Sequence, residues 1–382
     1  MRPRVLVVSY HAANPLTPRG ARSQAVAAAL SRHANVSMIA GRPETGRRTG
    51  WHRARDRALF ELGSRWLIDP LEPWSWKVLA RRDPGADLAL LIGYPFSAPV
   101  VAARVLSRHG VPYVLDVSDP WSLMPSDGHR PTLRNRRSAV LERRLWKGAS
   151  AGIVTTAAQA RDVLELVPAL DVLVRPNGYA DMKAVPATAR REPDGELRIG
   201  HFGHLYPPRV EIGTVLRRLA ESGRWRQVVL YQYGRDDHGD LRGLPERVIV
   251  QFRDPVPWAD VVGRAAAELD VALVVGNKDP RQLPSKAIEY LTLPVPRLAL
   301  TSGLARDALS EYVDGKPGWL MLHIDDPDAA MHIWEHVRRK WSPEELAPPD
   351  NESWGCVAEE LAGFVLRRMP PGPRPRVRSS RG

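Results

Sequence analysis

The chain has 382 residues, 43% hydrophobic and 26% charged, a globular balance with length for two domains that each bury a core. No apolar run approaches a bilayer span, and one cysteine, Cys356, excludes an internal disulfide and a cysteine-built metal cluster. The net charge of +12, with 48 arginines to 7 lysines spread over both halves, fits a GC-rich genome, a basic cleft for an anionic substrate, or attraction to an anionic membrane surface. Nucleic acid is disfavoured, because no zinc-finger spacing or aromatic RNA-binding motif accompanies the charge.

The opening MRPRVLVVSY is too short and too quickly polar for a secretory signal, so RVLVVSY (4–10) reads as a first strand, and the single cysteine fits a reducing cytoplasm as the expected compartment. A polar loop, NPLTPRG (14–20), leads to a helix at 21–33 and a strand at 36–41. Residues 42–86 hold many arginines and four tryptophans, Trp51, Trp66, Trp74 and Trp76. They read either as connecting helices with tryptophans in the core or as an amphipathic insertion that docks at a membrane interface or an apolar acceptor. Strands at 87–93, 111–117 and 151–156, with an amphipathic helix at 97–110, continue the alternation. Strand and helix in strict alternation predict a parallel, doubly wound α/β sheet.

The pattern restarts after the polar, proline-containing stretch 184–196. Strands are expected at 197–203, 228–234, 247–253, 271–276, 296–301 and 318–324, with a helix at 210–222 after a glycine-containing loop. The predicted architecture is two Rossmann-like domains, 1–183 and 197–352, facing a central cleft. An amphipathic helix at 353–369 and a disordered basic tail at 370–382 follow.

The most informative stretch is VALVVGNKDPRQLPSKAIEYLTLPVPRLAL (271–300). A buried strand leads to a loop, and a helix opening near Pro284 and Ser285 projects Lys286 and Glu289, three apart, from one face. A cation for phosphate and a carboxylate for sugar hydroxyls would then stand together at a positive helix terminus.

Several ordered motifs resemble the GT-B glycosyltransferases, and most closely the retaining family 4 enzymes. HFGHLYPPR (201–209) looks like the strand and loop that open their second domain, LPSKAIEYLTLPVPRLAL (283–300) like their donor pocket, and VRPNGYAD (174–181) like the segment that closes the first domain. The last helix is similar to the one that crosses back onto the first domain. The resemblance implies transfer of a sugar, with retention, from a nucleoside-diphosphate donor such as a UDP- or GDP-sugar to a polysaccharide, glycolipid or small-molecule acceptor. Arg209 and Lys286 would hold the departing diphosphate as the catalytic cations, and Glu289 would accept the ribose hydroxyls. Gly20 would offer a backbone N–H to the anion. With two cations in that role no metal or other cofactor is required.

On the acceptor side, Asp116 and Asp119 in LDVSDPW end a strand beside the expected cleft, and His11 follows the first strand. The aspartates would equally cap the next loop, Arg209 and Lys286 would equally be ordinary surface cations, and Glu289 would equally favour a helix start. One departure stands out: the glutamate usual eight positions before the ribose-binding one falls at Arg281, with Asp279 near enough in sequence to substitute. A nicotinamide-dependent oxidoreductase is disfavoured, since SYHAANPLTPRG has no G-x-G-x-x-G. A non-catalytic binding or scaffold protein of the same fold is the alternative.

Overall fold

The computed structural model describes residues 2–14, 17–41, 84–119, 121, 133–180, 194–205, 209–237, 239–303 and 307–371. The tryptophan-containing residues 42–83, residues 184–193 of the expected linker and residues 372–382 of the expected tail lie outside them. The chain divides into two compact units, one of residues 1–177 with 354–382 and one of residues 178–353.

In the first unit six strands, β1 (Arg4–Ser9), β2 (Asn35–Ala40), β3 (Leu88–Ile92), β4 (Tyr113–Val117), β5 (Ala151–Val154) and β6 (Val172–Val174), form a parallel sheet in the order β2-β1-β3-β4-β5-β6. Both faces of the central strands are covered, so β1, β3, β4 and β5 are largely apolar and their residues part by turns to opposite sides. Leu6, Val8, Leu91 and Leu115 face α2 (Ser97–Arg108), α3 (Leu133–Gly148) and α4 (Ala157–Leu166). Val5, Val7, Leu90 and Val114 face α1 (Pro18–His33) and the last helix, α11 (Trp354–Leu366).

Helix α11 belongs to this unit because Val357, Leu361 and Val365, at spacing four, make one apolar stripe that is fully buried against α1 and the sheet. Burial of Leu361 alone contributes about 2 kcal/mol. The strand Val172–Val174 is absent from the sequence reading: it is three residues long and only partly buried, too short for a pattern to show.

In the second unit β7 (Glu196–Phe202), β8 (Gln227–Tyr233), β9 (Val248–Arg253), β10 (Val271–Val275), β11 (Arg297–Thr301) and β12 (Trp319–His323) lie parallel in the order β12-β11-β10-β7-β8-β9. One face packs on α5 (Gly213–Glu221) and α9 (Ala329–Arg338), which the short α10 (Pro343–Leu346) follows, the other on α6 (Trp258–Glu268) and α8 (Ala308–Val313). The order reverses between β7 and β10, and in such sheets ligands bind at the carboxyl ends of the strands flanking the reversal. Arg209 follows β7, and α7 (Lys286–Glu289) follows β10, so both flank that point.

Candidate nucleotide-sugar site

In the second unit Arg209, Lys286 and Glu289 all lie beyond the carboxyl ends of β7 and β10. Arg209 forms an isolated antiparallel bridge with Asn277, and its guanidinium donates to the carbonyl of Val275 at 2.9 Å. Lys286 leans over Gly203: a methyl built on that glycine would come within 2.5 Å of Lys286 Cε and 3.5 Å of its Nζ. The ammonium stands 3.7 Å from the Glu289 carboxylate, both side chains about three-tenths exposed. The positive helix terminus expected there is reduced to one turn, since α7 spans four residues before a 3-10 turn at Tyr290–Thr292. Leu293 precedes Pro294 and is extended, because the proline ring disfavours helix before it. With so short a helix the charge at this site is that of Lys286 itself, not of a macrodipole.

Two buried side chains connect the cations. The phenol of Tyr290, wholly buried, accepts the Phe202 N–H at 2.8 Å, and burial drives its pKa upward while Glu289 raises it further and Arg209 opposes. His201, 4% exposed, is pushed down to about 3 by burial and by the fields of Lys286 and Arg209, so it is neutral. The turn after α7 is held by Arg297, whose buried guanidinium donates to the carbonyls of Tyr290 at 2.7 Å, Leu291 at 2.9 Å and Leu293 at 2.8 Å. Burial lowers that group to about 9, which leaves it charged at neutral pH.

Arg281 is tied to its neighbour. Its Nε and Nη2 each lie 2.9 Å from an oxygen of Asp279, which also accepts the Arg281 N–H at 3.0 Å. The Asp279 carboxylate, near enough in sequence to substitute for the usual glutamate, is thus engaged by Arg281 itself.

In the first unit the expected residues part company. Asp116, expected on the acceptor side, is 1% exposed and accepts from Arg22 Nε at 2.8 Å and Nη2 at 3.1 Å. The same guanidinium holds the carbonyls of Arg175 and Pro176, both at 3.2 Å, so the pair stitches α1 to the chain leaving β6. A carboxylate buried so deeply persists only with such a partner. Gly20 offers no free amide either, since its N–H donates to the Thr17 hydroxyl that caps α1, at 3.1 Å. Glycine is required there because a Cβ would come within 1.8 Å of the Asn14 carbonyl oxygen and 2.8 Å of that of His11.

His11 and Asp119 do face one patch, at the carboxyl ends of β1, β3 and β4. The His11 ring stacks on Tyr94 at 6.3 Å, Arg19 lies 4.9 Å over the same tyrosine, and Arg19 is ion-paired with Asp119. Here too the strand order reverses, between β1 and β3. Tyr94, Arg19, His201 and Tyr290 were not singled out in the sequence. For His201 a signal was present, a polar residue at an inward position of an apolar strand.

Residues 4–178 match the family model described as the glycosyl transferase 4-like domain. Over that stretch the chain is similar to a glycosyl transferase 4-like domain. The whole chain carries the GT-B fold of two parallel six-stranded sheets. The sucrose-phosphate synthase of Thermosynechococcus elongatus is similar at 15% identity and a TM-score of 0.56, with 95% of each chain covered. Anabaena Alr3699/HepE, solved in complex with UDP, is similar at 15% identity and a TM-score of 0.52, over 95% of this chain and 96% of that one. The S. aureus MnaA structure with UDP is similar at 11% identity and a TM-score of 0.51, again over 95% and 96%. No curated protein matches the chain in sequence. Among the described residues no group of His, Cys, Asp and Glu is gathered to hold a metal ion, and no helix is long and apolar enough to cross a membrane.

Proposed function

We propose that the protein transfers a sugar from a nucleoside-diphosphate sugar to an acceptor, the glycosyl transferase 4-like domain supplying the acceptor contacts. The observation that supports this reading is that Arg209 and the Lys286–Glu289 pair stand beyond the two strands that flank the point where the second sheet reverses its order. A nucleoside diphosphate gathers negative charge as the glycosidic bond breaks, and two fixed cations stabilise that charge without reorganising. Glu289 accepts the ribose hydroxyls, once Lys286 turns from it to the phosphates. His11 and Asp119, beside Tyr94 and Arg19, offer polar contacts to the acceptor. Retention at the anomeric carbon and a hexosyl donor follow from the resemblance to family 4 enzymes. The expected cytoplasmic setting suits this donor, and a net charge of +12 suits a lipid-linked acceptor at an anionic membrane surface.

Two of the proteins that share the fold were solved with UDP, which makes uridine diphosphate the first ligand to try, ahead of GDP. A thermal-shift screen of nucleoside diphosphates and their sugars tests the reading, because a ligand that binds only the folded chain raises Tm. A rise with one nucleoside diphosphate and its sugar supports it; no rise with any of them refutes it. A second reading, a nucleotide-sugar-binding protein without catalysis, is favoured by the Arg281–Asp279 pair standing where an acidic donor contact is usual. Binding without hydrolysis or transfer over a panel of nucleotide sugars and acceptors would establish that reading instead.

A further inference from the structure

Residues 203–205 leave one polar group in a particular state. The Gly203 N–H donates to the Tyr233 carbonyl at 2.8 Å, the Leu205 N–H to that of Arg235 at 2.9 Å, and the Leu205 carbonyl accepts the Asp237 N–H at 2.8 Å. The His204 ring accepts the Arg235 N–H on Nδ1 at 2.9 Å. Gln232 donates from Nε2 to the Gly203 carbonyl at 2.6 Å. The His204 N–H is the remaining donor of the turn, and among the described residues it donates to nothing.

The direction of that amide is fixed from behind. Gly203 and His204 are joined by a trans peptide, in which the carbonyl of one residue and the N–H of the next point opposite ways. Because Gln232 Nε2 draws the Gly203 carbonyl inward, the His204 N–H is turned outward. Gln232 is itself oriented by His201. A carbonyl only accepts, so the amide nitrogen of Gln232 must face Gly203 and its Oε1 must face His201 Nδ1, 2.8 Å away. His201 then carries its proton on Nδ1. The two residues are directly paired in register across β7 and β8, 4% and 0% exposed, on a face otherwise built of Leu197, Ile199, Val228 and Leu230. Two polar side chains in an apolar face cost stability unless each hydrogen bond is made, and both are.

We propose that the His204 backbone amide and the Lys286 ammonium, which lies over the adjoining Gly203, form one seat for a phosphate oxygen of the donor, and that His201 and Gln232 are the positioning residues that hold it. The inference rests on the diphosphate reading above and adds to it a main-chain donor that carries no charge of its own. A backbone N–H held in place from the interior meets a developing phosphate charge with no reorganisation, where a flexible side chain must first be ordered.

Inorganic pyrophosphate and UDP, titrated separately into full-length protein labelled with 15N-histidine, test the seat by NMR, with the His204 amide assigned through His204→Gln. The His204 amide proton moves downfield with both ligands and half-saturates at the calorimetric Kd. In Gln232→Met that shift is lost and pyrophosphate binds about tenfold more weakly. Should Gln232→Met fail to fold, the wild-type titration decides alone. If pyrophosphate binds and Lys286→Ala weakens it, yet the His204 amide stays still, the seat is wrong and the sugar-transfer reading stands. If neither ligand binds, or Lys286→Ala leaves both affinities unchanged, the diphosphate reading falls and the seat with it.

Discussion

Replacing Lys286 by alanine perturbs the site in two ways that can be separated. The substitution removes one charge-assisted hydrogen bond to a phosphate oxygen, a loss of about 2 kcal/mol. It also uncovers the Glu289 carboxylate, which the ammonium faces at 3.7 Å. A carboxylate roughly 6 Å from a phosphate oxygen, at an effective dielectric of about 40 for this partly exposed pair, adds a repulsion of about 1 kcal/mol. The sum, about 3 kcal/mol, corresponds to a roughly 100-fold rise in Kd. Titration calorimetry with inorganic pyrophosphate reads this directly, since pyrophosphate has no ribose for Glu289 to hold. The double variant Lys286→Ala/Glu289→Gln removes the repulsion as well and should regain about fivefold of the lost affinity. A single variant that binds within threefold of wild type, or a double variant no tighter than the single one, would show that the two side chains do not share a phosphate site.

Three further outcomes follow from particular contacts. His201 is neutral in the fold to about pH 3 but takes a proton in the unfolded chain below about 6.5, so the unfolded state binds more protons as pH falls and stability is lost over that window. Between pH 6.5 and 4.5 this amounts to roughly 2–3 kcal/mol; denaturant unfolding of His201→Gln should show a shallower acid loss, and an unchanged pH slope would contradict a buried neutral imidazole. Asp116→Ala leaves Arg22 charged and buried without its partner, and should cost about 3–5 kcal/mol of stability in the first unit while pyrophosphate affinity is unchanged; a variant as stable as wild type would refute the structural role. Arg297→Met strands the carbonyls of Tyr290, Leu291 and Leu293, for a loss of about 3 kcal/mol or more by chemical denaturation, and a neutral outcome would show that the turn after α7 is held by other means.

The parallel sheets were legible because strands covered on both faces are apolar throughout. VALVV at 271–275 and RVLVVS at 4–9 announce themselves, with Gly276 ending the one and Pro3 preceding the other. The pairing of Lys286 with Glu289 was legible as well, since three residues along a helix share a face. What the sequence hid is what depends on distant partners. Asp116 and Arg22 are 94 positions apart, and nothing local separates a buried salt bridge from a carboxylate open to solvent. The close packing of Gly20 was hidden as well, because a glycine needed for carbonyl packing and a glycine that presents its amide are spelled alike. His201 and Gln232 sit at inward positions of β7 and β8 where alternation calls for an apolar residue, a local conflict of the kind functional sites carry.

The account turns on one shared ligand for Arg209 and Lys286. A crystal structure of the protein soaked with UDP measures it most directly. The expected density has the diphosphate oxygens within about 3.2 Å of both the Arg209 guanidinium and the Lys286 ammonium, with the ribose at Glu289. A nucleotide bound with its phosphates away from these two side chains would contradict it.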